Sequence, residues 1–297
     1  MTFNDDSNIS NSRVRRRGRT TGLAAGGGGL GIVAIILLSQ LLGFDLSGIL
    51  GGGGGAGGAG GPAPEESALS ECETGADANE SVDCRMAGAL LSLDDYWVEA
   101  APAIGVEFRE PDFILFDGAT TTACGNATSA VGPFYCPPDE TIYIDTTFYD
   151  TLRERFGASG GPLAELYVVA HEYGHHIQQA AGFFDGTDRS DTGPGSDAIR
   201  LEVQADCFAG AWVRGASETE DASGTPYLEP VTPQQIQDAL SAASAVGDDR
   251  IQESAGGGVN PETWTHGSSE QRQRWFMTGY DSGPGACDTF AVSAEQL

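Results

Sequence analysis

Residues 171–175 read His-Glu-Tyr-Gly-His and lie inside residues 163–179, where apolar side chains recur every three or four positions. That spacing predicts an amphipathic helix. On such a helix His171 and His175 lie on one face, one turn apart, so both imidazoles can bind one metal ion. Glu172 is rotated by about 100° from His171. Its carboxylate can therefore reach a water on that metal without binding the metal itself. The rest of the fold has to be built around this helix.

A catalytic zinc site needs three protein ligands and one open position, so a third ligand must come from elsewhere in the chain. Glu202 lies on the next predicted helix, and Asp206 follows on the same face four residues later. We expect Glu202 to bind the metal and Asp206 to accept a hydrogen bond from the other ring nitrogen of His171. Asp206 or His266 as the third ligand is the alternative. The combination of H-E-x-x-H with a later E-x-x-x-D resembles the gluzincin peptidases related to thermolysin.

Other polar residues near these motifs are open to two interpretations. His266 can stabilise the oxyanion that forms when water attacks a carbonyl, which makes it a catalytic candidate. Alternatively, it lies in a helix-capping turn and its imidazole only satisfies backbone groups. Arg272 can likewise stabilise the oxyanion, or it can form a buried ion pair with a carboxylate. His176 points about 100° away from the metal face and is predicted to pack. Gly174 is predicted to allow another helix to approach closely.

The first 65 residues differ from the rest in composition. Residues 1–21 contain five arginines and are predicted to be a cytoplasmic basic tail without fixed structure. Residues 22–44 carry no charge; as a helix they would span roughly 35 Å, enough for a hydrocarbon core of ~30 Å. Residues 45–65 are a glycine-rich linker. Since arginines precede the apolar stretch, we expect a single-pass membrane anchor with a cytoplasmic N-terminus and an extracytoplasmic C-terminal domain, 66–297. A cleaved signal peptide is the alternative.

Charge and cysteine content fit an exported domain. Beyond residue 44 there are 10 arginines and 41 acidic residues, so 10 − 41 gives −31. That field repels nucleic acid, which we exclude as a partner. Six cysteines predict disulfides in an oxidising compartment. They allow 15 connectivities. Proximity along the chain favours Cys72–Cys84, Cys124–Cys136 and Cys207–Cys287.

The order of the predicted elements indicates an α+β fold, mainly helical with a small early β-sheet. A helix over 85–101 precedes the strands, and further helices follow them. The predicted strands are 113–116, 134–136 and 141–145. The later helices are 148–156, the motif helix from Pro162 to Gly182, 196–212, 232–246 and 268–277.

Several segments occur in the same order as in the Putative neutral zinc metallopeptidase family of bacteria, which the chain resembles over about residues 70–290. These segments are 123–125, 132–137, 169–178, 204–210, 247–252, 266–272 and 287–290. The resemblance implies a zincin-like, membrane-anchored peptidase with His171, His175 and Glu202 as ligands of Zn²⁺ and Glu172 in the catalytic position. Tyr173 departs from the family pattern, where a smaller aliphatic residue is expected.

The function expected from these residues is zinc-dependent endopeptidase activity outside the cytoplasm, by a metal-activated water with Glu172 as general base. A peptide or protein substrate would dock as an added strand beside one of the strands within 113–145. Two alternatives are a non-catalytic zinc-binding envelope scaffold and a zinc hydrolase of a non-peptide amide. Glu172 favours an enzyme, because a purely structural zinc site needs no carboxylate at that position.

Overall fold

The computed structural model describes residues 2–18, 66–129, 131–254, 256 and 258–297. These residues form eight α-helices and seven β-strands, so the predicted α+β class is confirmed. The helices are α1 (Gly75–Glu80), α2 (Val82–Ala103), α3 (Phe148–Glu154), α4 (Pro162–Ala180), α5 (Asp197–Gly215), α6 (Pro233–Ala245), α7 (Asp248–Ser254) and α8 (Ser269–Ser282). The strands are β1 (Arg15–Arg17), β2 (Glu66–Ala68), β3 (Asp112–Phe116), β4 (Ala119–Thr122), β5 (Gly125–Thr128), β6 (Phe134–Cys136) and β7 (Thr141–Asp145).

The main sheet has five strands in the order β2-β1-β3-β7-β6, and β4 pairs with β5 in a separate hairpin. β3 runs parallel to β1 and β7, whereas β2 and β6 are antiparallel to their neighbours. Four of the five residues of β3 and all five of β7 are buried. Such continuous burial is typical of parallel strands that are covered on both faces. In the strand order β6 is last, so it forms one edge of this sheet, and this edge lies against α4.

The N-terminal segment differs from its prediction as an unstructured tail. Residues 2–18 pack against the domain, and Phe3, Ile9 and Val14 belong to its core with at most 1% of their surface exposed. Burying side chains of this size stabilises a fold by about 1.5–3 kcal/mol each. The domain therefore includes residues that precede the proposed anchor, and its N-terminal boundary is not residue 66.

The arginines of this segment are neutralised by the acidic domain. Arg13 contacts Asp94 at 2.7 Å, and Arg17 contacts Glu66 at 3.0 Å. Arg15 pairs with Asp112 and Arg16 with Asp83 in the same way. An arginine run that resembles a membrane flank in the sequence thus supplies counter-charges to a strongly acidic domain.

The predicted anchor, 22–44, and the linker, 45–65, lie outside the described residues, so both stay predictions. Within the parts of the chain that the structure describes, no helix has the length and apolar character needed to cross a membrane.

Helices α4, α5 and α8 pack side by side, and glycines allow their backbones to approach closely. A Cβ atom at Gly174 of α4 would lie 3.0 Å from the Cα of Ala205 on α5. A Cβ atom at Gly210 of α5 would lie 1.9 Å from the carbonyl oxygen of Phe276 on α8. The close helix approach predicted for Gly174 is confirmed. Side-chain volume at these positions would separate the helices that carry the candidate site.

The predicted disulfides are confirmed: Cys72–Cys84, Cys124–Cys136 and Cys207–Cys287. All six cysteines of the chain are used. The third bridge ties α5 to the C-terminal segment across 80 residues.

Candidate metal centre

Helix α4 carries the histidine motif on a face that is closed to bulk solvent. Pro162 occupies its first turn, where a missing N–H costs nothing, and Gly182 follows its end with φ +77°. His171 and His175 are 7% and 4% exposed, and their ring centroids lie 4.7 Å apart. The predicted common face for the two imidazoles is therefore present.

Glu202 of α5 completes a set of three donors. Its Oε2 lies 3.4 Å from Nε2 of His171, and its Oε1 lies 3.3 Å from Nε2 of His175. One ligand atom from each residue falls within 4.8 Å of the others. Oε1 of Glu202 is buried without a hydrogen-bond partner among the described residues. A buried carboxylate oxygen without a donor, facing two imidazole nitrogens, fits a metal ion such as Zn²⁺.

Asp206, one turn along α5, holds His171 from behind. Its Oδ1 accepts from Nδ1 of His171 at 2.8 Å, so Nδ1 carries a proton and Nε2 is the ring atom that faces Glu202. Asp206 also accepts from Tyr167 and from Nε and Nη2 of Arg272. Arg272 forms a buried ion pair, one of the two roles considered for it. Asp206 orients His171 and is not one of the three donors that lie within 4.8 Å of one another.

His175 is oriented in the same manner by a residue that the sequence analysis missed. Its Nδ1 donates to Oε1 of Gln178 at 2.8 Å. The amide nitrogen of Gln178 donates to the carbonyl of Leu201 at 2.6 Å and to Gln204 at 3.1 Å, which fixes which atom faces the histidine. The signal was available: Gln178 follows His175 at the i, i+3 spacing that brings helix side chains together.

The electrostatics of the donor set favour a bound cation. Burial opposes protonation of His171, but the Asp206 and Glu202 carboxylates outweigh it and raise its pKa to about 10. Burial likewise opposes ionisation of Glu202, yet the two facing imidazoles of His171 and His175 hold its pKa well below the ordinary value. The three side chains therefore form a buried site with an anionic ligand that attracts positive charge.

Glu172 lies beside this set and lines the same cleft. The residue is 8% exposed, and its carboxylate accepts a hydrogen bond from the backbone N–H of Tyr135 in β6. Burial raises its pKa above the ordinary value. A carboxylate with a raised pKa is suited to accept and return a proton. The structure thus places the predicted general base between the edge strand and the histidines.

His266 also lines the cleft and is oriented by a buried carboxylate. Its Nδ1 donates to Oδ1 of Asp248 at 3.2 Å, and the backbone N–H groups of Thr265, His266 and Gly267 donate to Oδ2 of Asp248. Burial opposes protonation of His266, but Asp248 outweighs it and raises the pKa of the imidazole. Ser268, not His266, caps the following helix α8, because its hydroxyl accepts from the backbone N–H of Gln271. The imidazole of His266 itself contacts the side chains of Asp248 and Thr265, in the turn that precedes α8.

Two motif residues point away from the metal. His176 is fully buried and contacts the Tyr135 hydroxyl at 3.0 Å and the carbonyl of Arg109 at 2.6 Å, as expected for a packing residue. The hydroxyl of Tyr173 donates to Asp94 of α2 at 2.8 Å. These residues fasten the rear of α4 to the rest of the domain.

The cleft above the donors is mainly apolar. Its walls come from β6 and the segment that leads into it, from α4, α5 and α7, and from the loop after α4. The apolar residues include Val131, Phe134, Val168, Phe184, Leu201 and Ile251. Such a concave apolar surface around a few polar groups is typical of a site that binds a ligand.

Comparison with known proteins agrees with this geometry. The family model described as Putative neutral zinc metallopeptidase matches residues 2–290, including the N-terminal segment. The uncharacterized protein Rv2575 of Mycobacterium tuberculosis (strain ATCC 25618 / H37Rv) is 51% identical over 227 residues, which cover 76% of each chain. The uncharacterized protein YpfJ of Escherichia coli (strain K12) is 34% identical over 283 residues, 91% of this chain and 89% of that one. No solved structure matches the chain. The chain belongs to the Putative neutral zinc metallopeptidase family.

Proposed function

We propose that this protein is a zinc-dependent peptidase that hydrolyses peptide bonds within an extended substrate. The observation that carries the proposal is the convergence of His171, His175 and Glu202 in one buried cluster, with the carboxylate of Glu172 in the same cleft. Three protein donors beside an open cleft are the arrangement of a catalytic zinc site, whereas structural sites close the fourth position with protein.

Zinc held by these three residues would acidify water and polarise a substrate carbonyl. The protein supplies the proton transfers. Glu172 accepts the proton of the attacking water and passes it to the amine that leaves. The N–H of Tyr135 fixes the position of this carboxylate while it does so. Asp206 and Gln178 hold the two histidines so that their Nε2 atoms face the ligand position.

We assign His266 the stabilisation of the carbonyl oxygen as it becomes negative. The imidazole lines the cleft, and Asp248 favours its cationic form. A cation that is already oriented needs no rearrangement when charge develops on the substrate. The guanidinium of Arg272 is engaged by Asp206, so it supports the site from behind.

The substrate backbone would bind along β6. This strand pairs with β7 on one side and forms an edge of the main sheet in the described part of the chain. Phe134 and Tyr135 of β6 line the cleft, so a peptide added to this edge would pass the carboxylate of Glu172. Addition of a strand supplies main-chain hydrogen bonds without demanding a particular sequence.

We further propose that the enzyme acts outside the cytoplasm. The three disulfides support this location, since such bonds persist in oxidising compartments and are rare in the cytosol.

The test uses the full-length protein, purified with zinc. The parent should hold about one zinc per chain, and His175→Ala should lose it because two remaining ligands bind poorly. His176→Asn is the matched control, since it changes the neighbouring imidazole and should keep the metal.

Glu172→Gln should keep zinc and the fold but no longer cleave a peptide library, because an amide cannot accept the proton. If the protein is instead a zinc-binding scaffold, the parent should bind zinc equally well but should not cleave the peptide library. Cleavage by Glu172→Gln at the parent rate would exclude Glu172 as the base.

A further inference from the structure

Strand β1 lies between two strands that are much later in the chain. Arg15, Arg16 and Arg17 pair with Ala68, Ser67 and Glu66 of β2 on one side, and β1 runs parallel to β3 on the other. Residues 17 and 66, which flank the proposed anchor and linker, are therefore direct partners across a sheet. We infer that residues 2–18 and residues 66–297 lie on the same side of any membrane that the chain meets. This inference does not depend on the proposed peptidase activity.

The N-terminal segment is held by more than one strand. The ring of Phe3 packs on Gly88 of α2, where a Cβ atom would come within 2.5 Å of it. The backbone N–H of Phe3 donates to Asn79, and the amide of Asn79 donates back to the carbonyl of Phe3, both at 2.9 Å. Asn8 donates from its backbone to Asp221 at 2.7 Å. These contacts hold the first half of the segment and β1 holds the second, so its docking is part of the fold.

A buried polar chain joins the same segment to the metal-bearing helix. Arg13 donates to both carboxylate oxygens of Asp94, at 2.7 and 3.2 Å, and the hydroxyl of Tyr173 in α4 donates to the same carboxylate. Asp94 is 5% exposed. Removing the cation beside a buried carboxylate strongly destabilises the folded state, so the domain needs Arg13 beside Asp94.

The pairing of residues 17 and 66 limits how many times the chain between them can cross a bilayer. A chain that leaves one side after residue 17 and returns to pair at residue 66 must cross a bilayer an even number of times. One crossing takes about 20 apolar residues, and residues 22–44 supply one such stretch. Residues 46–64 contain ten glycines and two prolines, a poor composition for a second spanning helix. A single crossing by residues 22–44 is therefore incompatible with the pairing of residues 17 and 66.

The arginines that precede the apolar stretch form ion pairs with the domain in the structure. Arginines before an apolar stretch favour a cytoplasmic N-terminus when they are free to remain there. Here four of the five are paired with carboxylates of the domain. The single-pass arrangement with termini on opposite sides would separate these pairs. That arrangement and the pairing of β1 cannot both hold in one chain.

The experiment labels single cysteines in intact cells with a membrane-impermeant maleimide, using the full-length chain. Asp6→Cys reports on the N-terminal segment and Glu107→Cys on the domain, since both positions are exposed. The parent gives the background, because all six of its cysteines are in disulfides. Lysed cells give the total reactive thiol.

We expect the two variants to behave alike: both labelled in intact cells, or both labelled only after lysis. Either result places the two parts on one side and identifies which side it is. Labelling of Glu107→Cys alone, or of Asp6→Cys alone, would overturn the inference.

A second arm tests the strand pairing in the same cells. In Arg17→Cys/Glu66→Cys the two thiols face each other across β1 and β2, so a short membrane-permeant bismaleimide should join them. In Arg16→Cys/Glu66→Cys the side chains point to opposite faces of the sheet, so this pair is the matched control. A protease site inserted after Pro64 makes the link visible. After cleavage the N-terminal fragment stays attached to the rest of the chain on a denaturing gel only when positions 17 and 66 are cross-linked. No link in the first pair would overturn the inference.

Discussion

Replacement of Asp206 by asparagine tests whether the charges buried behind the metal centre depend on one another. Asp206 is fully buried and accepts hydrogen bonds on both oxygens, and Arg272 donates to each of them. Asparagine offers one acceptor oxygen and one donor group. Whichever way the amide turns, its NH₂ group meets a nitrogen of Arg272 that also carries hydrogen.

The expected loss of stability follows from the burial of Arg272, whose side chain is 3% exposed. Removing one partner of a buried ion pair costs about 3–5 kcal/mol. Glu202 remains 3.9 Å from the guanidinium, so we expect the lower end, about 3 kcal/mol. For a domain of this size that lowers Tm by about 6–12 °C. Zinc affinity should fall by about 10–100-fold, because His171 loses the carboxylate that orients it.

Thermal and denaturant unfolding at saturating zinc, with zinc affinity from chelator competition, separate these two effects. Asp206→Asn/Arg272→Met removes both charges and should be more stable than Asp206→Asn, while its zinc affinity stays low. Asp150→Asn breaks an exposed ion pair with Arg153 and should change stability by no more than about 0.5 kcal/mol. A double variant less stable than the single one would refute the argument from buried charge. Unchanged zinc affinity in Asp206→Asn would refute the orienting role.

Two further predictions concern the helix contact and the cleft. Gly174→Ala should lower stability by about 1–3 kcal/mol and weaken zinc binding, because its Cβ would press on the backbone of Ala205 and separate the helices that carry the ligands; zinc affinity equal to that of the parent would contradict this. Asp248 keeps the pKa of His266 above its ordinary value, so the cationic imidazole persists to higher pH. In Asp248→Asn that pKa falls, and the alkaline decline of kcat/KM should move to lower pH; a pH profile with the same alkaline limb would remove His266 from the mechanism.

Features encoded by nearby residues were predictable from the sequence. The motif helix was predicted from Pro162 to Gly182, and α4 ends at Ala180. The predicted start of the last helix at Ser268 is a capping box in the structure. Two disulfides join cysteines that lie 12 residues apart, and the third joins the two cysteines that remain. In each case the signal lies within one element or one obvious partner, so no knowledge of the tertiary fold was needed.

The role of the N-terminal segment could not be predicted in this way. A run of arginines before an apolar stretch has the same composition whether it flanks a membrane or pairs with carboxylates. The carboxylates that decide between these roles are distant in sequence: Asp94 is 81 residues from Arg13, and Asp112 is 97 residues from Arg15. The partnership of Asp206 with Arg272, 66 residues apart, was likewise undetermined. Long-range charge pairing leaves no periodic pattern, so only the structure shows it.

The position of β1 also affects the order in which the chain can fold. Residues 15–17 are synthesised well before the strand that pairs with them in parallel, which ends at Phe116. At about 5–20 residues per second, the N-terminal segment waits roughly 5–20 s for that partner. Late in this interval α2, on which Phe3 packs, is already synthesised, but β1 still lacks the strand that pairs with it in parallel. Whether β1 pairs with β3 therefore depends on the relative rates of folding and of competing interactions, and this competition begins during translation.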